Sequence, residues 1–302
     1  MTDTLPIFTL PAIFDRKKIQ RNRNKACFKS VHQLFQWTSS RLIERLSLVK
    51  KEFSHVLEIG SSLDFFYQHL SSQNPSLESY YQMDSAQNLL MASHRNILSI
   101  RADEESLPLE KQNLDLIVSH LTAHFMNDLP GFFKQVNHAL KPDGYFLGVM
   151  FGEQTLQELS IAFYQTHMDL FCGASPVVAP FITPHQAGNL LMRAGFQLPV
   201  VDRETVEIHY DSLGALLKDI KAFGGQAALY ASDKKITNNT LKHVEKIYRE
   251  TFSTLEGKLI VTLDFLFLSG FAYHPSQPKA LRPHYTEKRL IDVLSDFSHA
   301  KN

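Results

Sequence analysis

The chain has 302 residues, of which 44% are hydrophobic and 21% are charged, as expected for one large globular domain or a domain with an elaboration. Lys plus Arg and Asp plus Glu each number 31, so the formal net charge is zero. This balance argues against a general nucleic-acid binder. No apolar run reaches the roughly 18 residues of a membrane span. We therefore expect no transmembrane segment, and peripheral membrane association stays open.

The cysteines and the N-terminus bear on the cellular compartment. Cys27 and Cys172 are too few for a disulfide framework and form no metal-binding pattern. We therefore expect no metal site and a reducing, cytoplasmic location. The N-terminus lacks the apolar core of a secretory signal. A basic segment at 15–26, DRKKIQRNRNKA, leaves the matrix side of a mitochondrion as an alternative.

Short apolar runs alternate with helical patterns from residue 54 onward, after a predicted N-terminal arm and helix at 1–50. Strands are predicted at 55–59, 79–83, 97–102, 114–120 and 145–151, and helices at 64–73, 85–94 and 130–140. Strands and helices that alternate in this way predict a doubly wound, mostly parallel, Rossmann-like sheet.

The C-terminal part continues this pattern. It predicts a helix at 183–195, a strand or strand pair at 196–210, helices at 212–225 and 237–255, and a long strand at 258–273. We therefore predict one domain at 51–285 with a helical insertion at about 211–256. A polar tail follows at 286–302.

Polar residues gather at the ends of the predicted strands. These ends carry Glu58, Gly60, Asp84, Asp103, Glu104 and His120. Ligands of open parallel sheets bind beyond the carboxyl ends of the strands. A carboxylate after the second strand suits the ribose hydroxyls, and one after the third suits an adenine amine, because charged acceptors make the stronger hydrogen bonds. The ordered set indicates an adenosine-containing ligand.

The same residues carry a resemblance. The chain resembles the class I S-adenosylmethionine-dependent methyltransferases, and more narrowly the methyltransferase-like assembly factors of respiratory complex I and their BioC-type relatives. The segments that carry it are IFDRKKIQRNRNKA at 13–26, RADEESLPL at 101–109, SHLTAHFMNDLP at 119–130, LKPDGYFLGVMFGEQTLQEL at 140–159, SPVVAPFITPHQAGNLLMRAGF at 175–196 and YHPSQPKALRP at 273–283.

The resemblance implies a fold, a cofactor and two candidate activities. The fold is a seven-stranded sheet with an antiparallel last strand, an N-terminal helical arm and a helical insertion before that strand. The cofactor is S-adenosylmethionine, held at Glu58, Gly60, Ser62, Asp84, Asp103, Glu104 and His120. The assembly-factor branch implies hydroxylation or methylation of a protein arginine in a complex I subunit. The BioC-type branch implies methylation of a malonyl-thioester carboxylate.

The cofactor loop departs from the family pattern, which has glycine at the positions of Gly60, Ser62 and Asp64. Glycine lets a ligand approach the backbone closely. Asp64 instead places a carboxylate where the cofactor's own carboxylate would compete for helix amides. Alternatively, Ser61 and Asp64 have a spacing close to that of a capping box. Weakened cofactor binding is expected, and a non-catalytic assembly or interaction protein stays open.

Two further features remain ambiguous from sequence. His124 is a weak catalytic candidate, since a histidine suits proton transfer near neutral pH, but a packing role fits it equally. The basic run between Arg16 and Lys25 is either a solvated helix face or an arm that folds over the pocket. Without interleaved aromatic residues, nucleic acid is not its expected partner.

Overall fold

The computed structural model describes residues 12–61, 63–91, 95–173, 176–226, 229 and 236–278, apart from the side chains of residues 28 and 29. Ser62, residues 279–283 of the YHPSQPKALRP segment and the predicted tail at 286–302 lie outside these ranges. In the part of the chain that is described, no helix has the length and apolar character needed to cross a bilayer.

A single seven-stranded sheet organises the molecule. Its strands are β1 His55–Ile59, β2 Ser79–Asp84, β3 Leu98–Arg101, β4 Leu114–His120, β5 Leu140–Phe151, β6 Gln197–Tyr210 and β7 Leu259–Phe271. They lie in the order β3-β2-β1-β4-β5-β7-β6. The pairs among the first five strands are parallel, and β7 is antiparallel to both neighbours. The predicted fold class is confirmed, including the antiparallel last strand.

Helices cover both faces of the sheet. They are α1 Arg16–Lys25, α2 His32–Ser47, α3 Phe65–Gln73, α4 Gln87–Leu90, α5 Leu129–Ala139, α6 Gln157–Phe171, α7 Pro184–Arg193, α8 Leu213–Phe223 and α9 Asn238–Thr251. The predicted arm corresponds to α1, and the predicted insertion before the last strand corresponds to α8 and α9.

The hydrophobic core forms on both sheet faces because alternate side chains of each strand point in opposite directions. Val56 and Leu116 pack with α2 and α3 on one face. Leu57 and Ile117 pack with α5 and α7 on the other. Strands of a parallel sheet covered on both faces read as continuous apolar runs, which is why the sequence located β1 and β4 well.

Several elements differ from the sequence prediction. Helix α6 was missed because its apolar residues face both ways: Leu159 and Phe163 are buried, whereas Ile161 and Tyr164 are exposed. Of the two alternatives for 196–210, the single strand is confirmed, since it pairs with β7 along most of its length. Strand β5 starts earlier than predicted because Leu140 already pairs with Leu114.

Candidate functional site

Gly60 marks the sharp turn after β1. Its φ of +83° is the left-handed conformation that favours glycine, and a Cβ there would lie 2.4 Å from the carbonyl oxygen of His120. Two residues earlier, Glu58 is fully buried. It accepts hydrogen bonds from Tyr80 Oη at 2.7 Å and from Gln82 Nε2 at 3.2 Å. Glu58 and Gly60 are therefore held in fixed positions at the carboxyl end of β1.

The loop after Gly60 does not form the capping box that its spacing suggests. Ser61 N donates to Asp84 Oδ2 at 3.2 Å, so it is not available to the side chain of Asp64. Ser61 Oγ accepts from Leu63 N at 3.2 Å, which precedes helix α3. Asp64 has a left-handed φ of 67° and makes no capping hydrogen bond to α3 among the described residues. The interpretation of Ser61 and Asp64 as a capping box was therefore wrong.

Asp84 is fully buried, and its carboxylate already has partners. Oδ1 accepts from Ala86 N at 2.8 Å. Oδ2 lies 2.6 Å from Nη2 of Arg23 on α1. The side chains of Arg23 and Asp84 are only 2% and 0% exposed. A buried charge is costly unless it is paired, and here each supplies the other's counter-ion.

A second arm arginine reaches the end of β3. Arg16 Nη2 lies 2.8 Å from Asp103 Oδ1 and also pairs with Glu104. Glu104 is buried and accepts from Ser85 N at 3.0 Å, whereas 54% of the Asp103 side chain is exposed. Partial burial raises the pKa of Asp103, but the Glu105 amide and the Arg16 guanidinium outweigh it and hold this pKa below its ordinary value.

The two predicted histidines are buried, His120 as the last residue of β4 and His124 shortly after that strand. Nε2 of His120 is 2.9 Å from Thr38 Oγ1. Neither ring nitrogen of His124 has a hydrogen-bond partner among the described residues, and its ring lies against Phe125 and Phe151, with centroids 4.1 and 4.7 Å away. Burial, helped by the charge of Arg23, lowers the pKa of each histidine to about 3. Both are therefore neutral near pH 7, and the geometry of His124 favours packing.

The arm thus brings Asp84, Asp103 and Glu104 together under one helix. Sequence reasoning found these carboxylates and offered an arm over the pocket as one alternative for the basic run, but it did not pair Arg16 and Arg23 with them. The signal was present, because Arg16, Ile19 and Arg23 have the i, i+3, i+7 spacing of a single helix face. Ile19 and Arg23 are the buried residues of α1.

The arrangement does not fit an adenosine cofactor while α1 is in place. Asp84 is the acceptor expected for the ribose, yet a guanidinium nitrogen lies 2.6 Å from its Oδ2. A ribose hydroxyl would need nearly the same position, since O–H···O bonds are about 2.7–2.8 Å long. For a metal ion, no cluster of three or more His, Cys, Asp or Glu side chains is found within the described ranges.

A separate groove opens beyond the end of β5. It has a volume of about 630 Å³, and its mostly apolar walls include Ile13, Val178 and Phe181. Among the described residues that line it, Glu153 is the charged one. Glu153 Oε1 lies 3.7 Å from Arg203 Nη1, and Arg203 is itself held by Asp264 through two bonds of 2.8 and 2.9 Å.

Comparisons with known proteins identify the family of the chain. Residues 57–148 match the model of a methyltransferase domain. The rat protein "Arginine-hydroxylase NDUFAF5, mitochondrial" is 31% identical over 273 residues, which are 88% of this chain and 79% of the relative. The malonyl-[acyl-carrier protein] O-methyltransferase of Methylovorus sp. is 29% identical over 283 residues, 89% of this chain and 92% of the relative.

Solved structures agree in fold. A Bacillus halodurans protein described as a possible methyltransferase has a TM-score of 0.55 at 11% identity, over 78% of this chain and 99% of that one. The YcgJ protein of Bacillus subtilis has a TM-score of 0.54 at 16% identity, over 77% and 98%. The chain therefore belongs to the family of NDUFAF5, within the class I S-adenosylmethionine-dependent methyltransferase superfamily, and it is also similar to the malonyl-acyl-carrier-protein O-methyltransferases.

Proposed function

We propose that this protein binds an arginine side chain of a protein partner, a complex I subunit, and modifies it on the matrix side of a mitochondrion or in a bacterial cytoplasm. The relatives named arginine hydroxylase cover 88% of the chain at 31% identity, which supports this class of substrate. The observation that carries the proposal is the charge of the groove beyond β5, where the charged lining residue is the carboxylate of Glu153.

The charge of the groove separates the two candidate substrates. A guanidinium is complementary to Glu153, and a carboxylate–guanidinium pair forms strong, charge-assisted hydrogen bonds. A malonyl carboxylate would meet a like charge there, with no lysine or arginine among the described lining residues. The nearby Arg203 does not supply that cation, because its guanidinium is bound to the buried carboxylate of Asp264. The groove therefore favours an arginine substrate over a malonyl thioester.

The position of the groove also suits a reaction site. Glu153 follows β5 by two residues, and ligands of open parallel sheets bind beyond such strand ends. Phe181 lines the groove and also lies against His124, with ring centroids 5.8 Å apart. The groove thus adjoins the residues that follow β4, beside the region where the family holds its cofactor.

The binding step is tested with fluorescent peptides that contain a central arginine, and with the same peptides carrying glutamate instead. The arginine peptide is expected to bind more tightly. Glu153→Gln should weaken its binding roughly ten- to hundredfold, as expected for the loss of a charge-assisted hydrogen bond of about 1.5–3 kcal/mol. Glu207→Gln, at an exposed position beside His209, is the matched control. Equal binding of both peptides would contradict the proposal.

The chemical step is read by mass spectrometry of the arginine peptide after incubation. A gain of one oxygen atom indicates hydroxylation, for which dioxygen and a two-electron donor must be supplied. A gain of one methylene unit with S-adenosylmethionine indicates methylation.

Binding without any mass change would favour a second candidate, a non-catalytic assembly protein. One observation supports this alternative: the strand-end carboxylates are held by the chain's own arginines.

A further inference from the structure

We infer that helix α1 is an internal competitor for the cofactor site: its arginines occupy the carboxylates that an adenosine ligand needs, and the helix must lift before such a ligand binds. The inference concerns access to the strand-end site. It does not depend on which substrate the groove beyond β5 accepts.

The competition is clearest at Asp84. A carboxylate offers about four lone-pair positions. The backbone amides of Ala86 and Ser61 take two of them and orient the group, at 2.8 and 3.2 Å. Arg23 Nη2 then approaches Oδ2 at 2.6 Å. A ribose hydroxyl that donates to Oδ2 cannot share this position, so Arg23 and a ribose bound through both carboxylate oxygens exclude each other.

The second carboxylate site repeats the arrangement on the same helix face. Glu104 uses Oε1 to accept from Ser85 N and Oε2 to bind Arg16. Arg16 also binds Asp103, the carboxylate expected beside the adenine. Because Arg16 and Arg23 lie on one short helix, a single displacement of α1 releases both sites together.

The attachment of α1 relies largely on ion pairs with the same carboxylates that a ligand would use, so a ligand can compete with it. The helix has ten residues and buries Ile19 and Arg23, and helices of this length are marginal on their own. Its other anchors are polar contacts, such as Gln20 Nε2 to Ser85 O at 2.9 Å and Asn22 Nδ2 to Gln226 O at 3.2 Å.

The buried ion pair adds little net stability, because desolvation of both charges offsets most of their attraction. The apparent affinity of a ligand is then its intrinsic affinity for the open state multiplied by the fraction of molecules in which α1 is lifted.

Calorimetric titration with S-adenosylmethionine tests the inference. Arg23→Ala is expected to bind about tenfold more tightly than the wild-type chain, since no guanidinium then competes with the ribose at Asp84 Oδ2. Arg21→Ala is the matched control, because its exposed side chain contacts only a backbone carbonyl of the same helix among the described residues. Asp84→Ala should bind more weakly than the wild-type chain, because it removes the contested acceptor.

Equal or weaker binding by Arg23→Ala would overturn the inference, and so would the absence of binding by every variant. Hydrogen exchange of the wild-type chain gives a second readout that needs no substitution. Saturation with S-adenosylmethionine should accelerate exchange at the amides of 16–25, and slower exchange there would contradict an arm that lifts. The peptide titration at Glu153 is independent of both results, so the inference and the proposed function can fail separately.

Discussion

Two regions of the sheet each contain a buried aspartate bound by an arginine, and they are built in opposite ways. Asp264 lies in β7, and its partner Arg203 comes from the adjacent strand β6. Asp84 ends β2, and its partner Arg23 comes from a helix 61 residues earlier in the chain. Arg203 is 30% exposed, whereas Arg23 is 2% exposed.

The difference lies in what holds each arginine. Arg203 is fixed by the ladder between β6 and β7, and the Asp264 carbonyl also accepts from Gly152 N and Thr155 Oγ1. This pair cannot separate unless the sheet opens. Arg23 is held by a short helix with few apolar contacts, so its pair can separate while the sheet stays intact. The first pair is structural, and the second is replaceable by a ligand.

The strongest test of this contrast is Asp264→Ala. We expect a loss of about 3 kcal/mol in the free energy of unfolding, because Gln154 N and Arg203 both lose a buried acceptor. Urea denaturation followed by circular dichroism measures it. A loss below about 1 kcal/mol would mean that this pair is no more structural than a surface ion pair.

A comparable effect is expected at low pH from the histidines beside the arm. The folded pKa values of His120 and His124 are about 3, below the ordinary value of 6.5. As the pH falls below 6.5, the unfolded chain takes up protons that the folded chain excludes, so stability falls toward pH 3. His124→Phe should therefore gain about 2 kcal/mol relative to wild type near pH 5, and almost nothing near pH 8.

Thermal denaturation at the two pH values checks this expectation. The same gain at both pH values would assign the effect to packing alone.

Asp84→Ala is expected to cost less, about 1–2 kcal/mol, because Ser61 N and Ala86 N lose an acceptor while Arg23 can reach water once the arm lifts. Hydrogen exchange should accelerate at 16–25 and remain slow in β1 and β4. If exchange accelerates throughout the sheet, the two aspartates are equivalent and the contrast between the regions fails.

The smallest effect is expected in the loop between β1 and α3. Asp64→Gly should stabilise the fold by about 1 kcal/mol, because a residue other than glycine pays a conformational cost at its φ of 67°. It should also tighten S-adenosylmethionine binding by removing a nearby carboxylate. Asp64→Asn separates the two causes, since asparagine tolerates this backbone conformation but is neutral. If calorimetry shows the same S-adenosylmethionine affinity for Asp64→Gly as for the wild-type chain, Asp64 does not weaken cofactor binding.

The carboxylates of the candidate site could be predicted from the sequence, but the arginines that bind them could not. Asp84, Asp103 and Glu104 were predicted because a strand end is a local feature, set by where an apolar run stops. Their occupation by Arg16 and Arg23 was not, because a helix face with the right spacing does not specify the surface that it covers. The interpretation of His124 also stayed open, since burial among Phe125 and Phe151 depends on helices and strands far apart in sequence.

By itself, the sequence determined the alternation of strands and helices, the parallel core of the sheet and the carboxylates at its edge, because periodicity and chain order are local properties. Tertiary structure alone decided which charges meet, which histidines stay neutral and where the acidic groove opens. Those outcomes depend on the docking of α1 and on the neighbours that burial supplies, and both are set by contacts between segments that are distant along the chain.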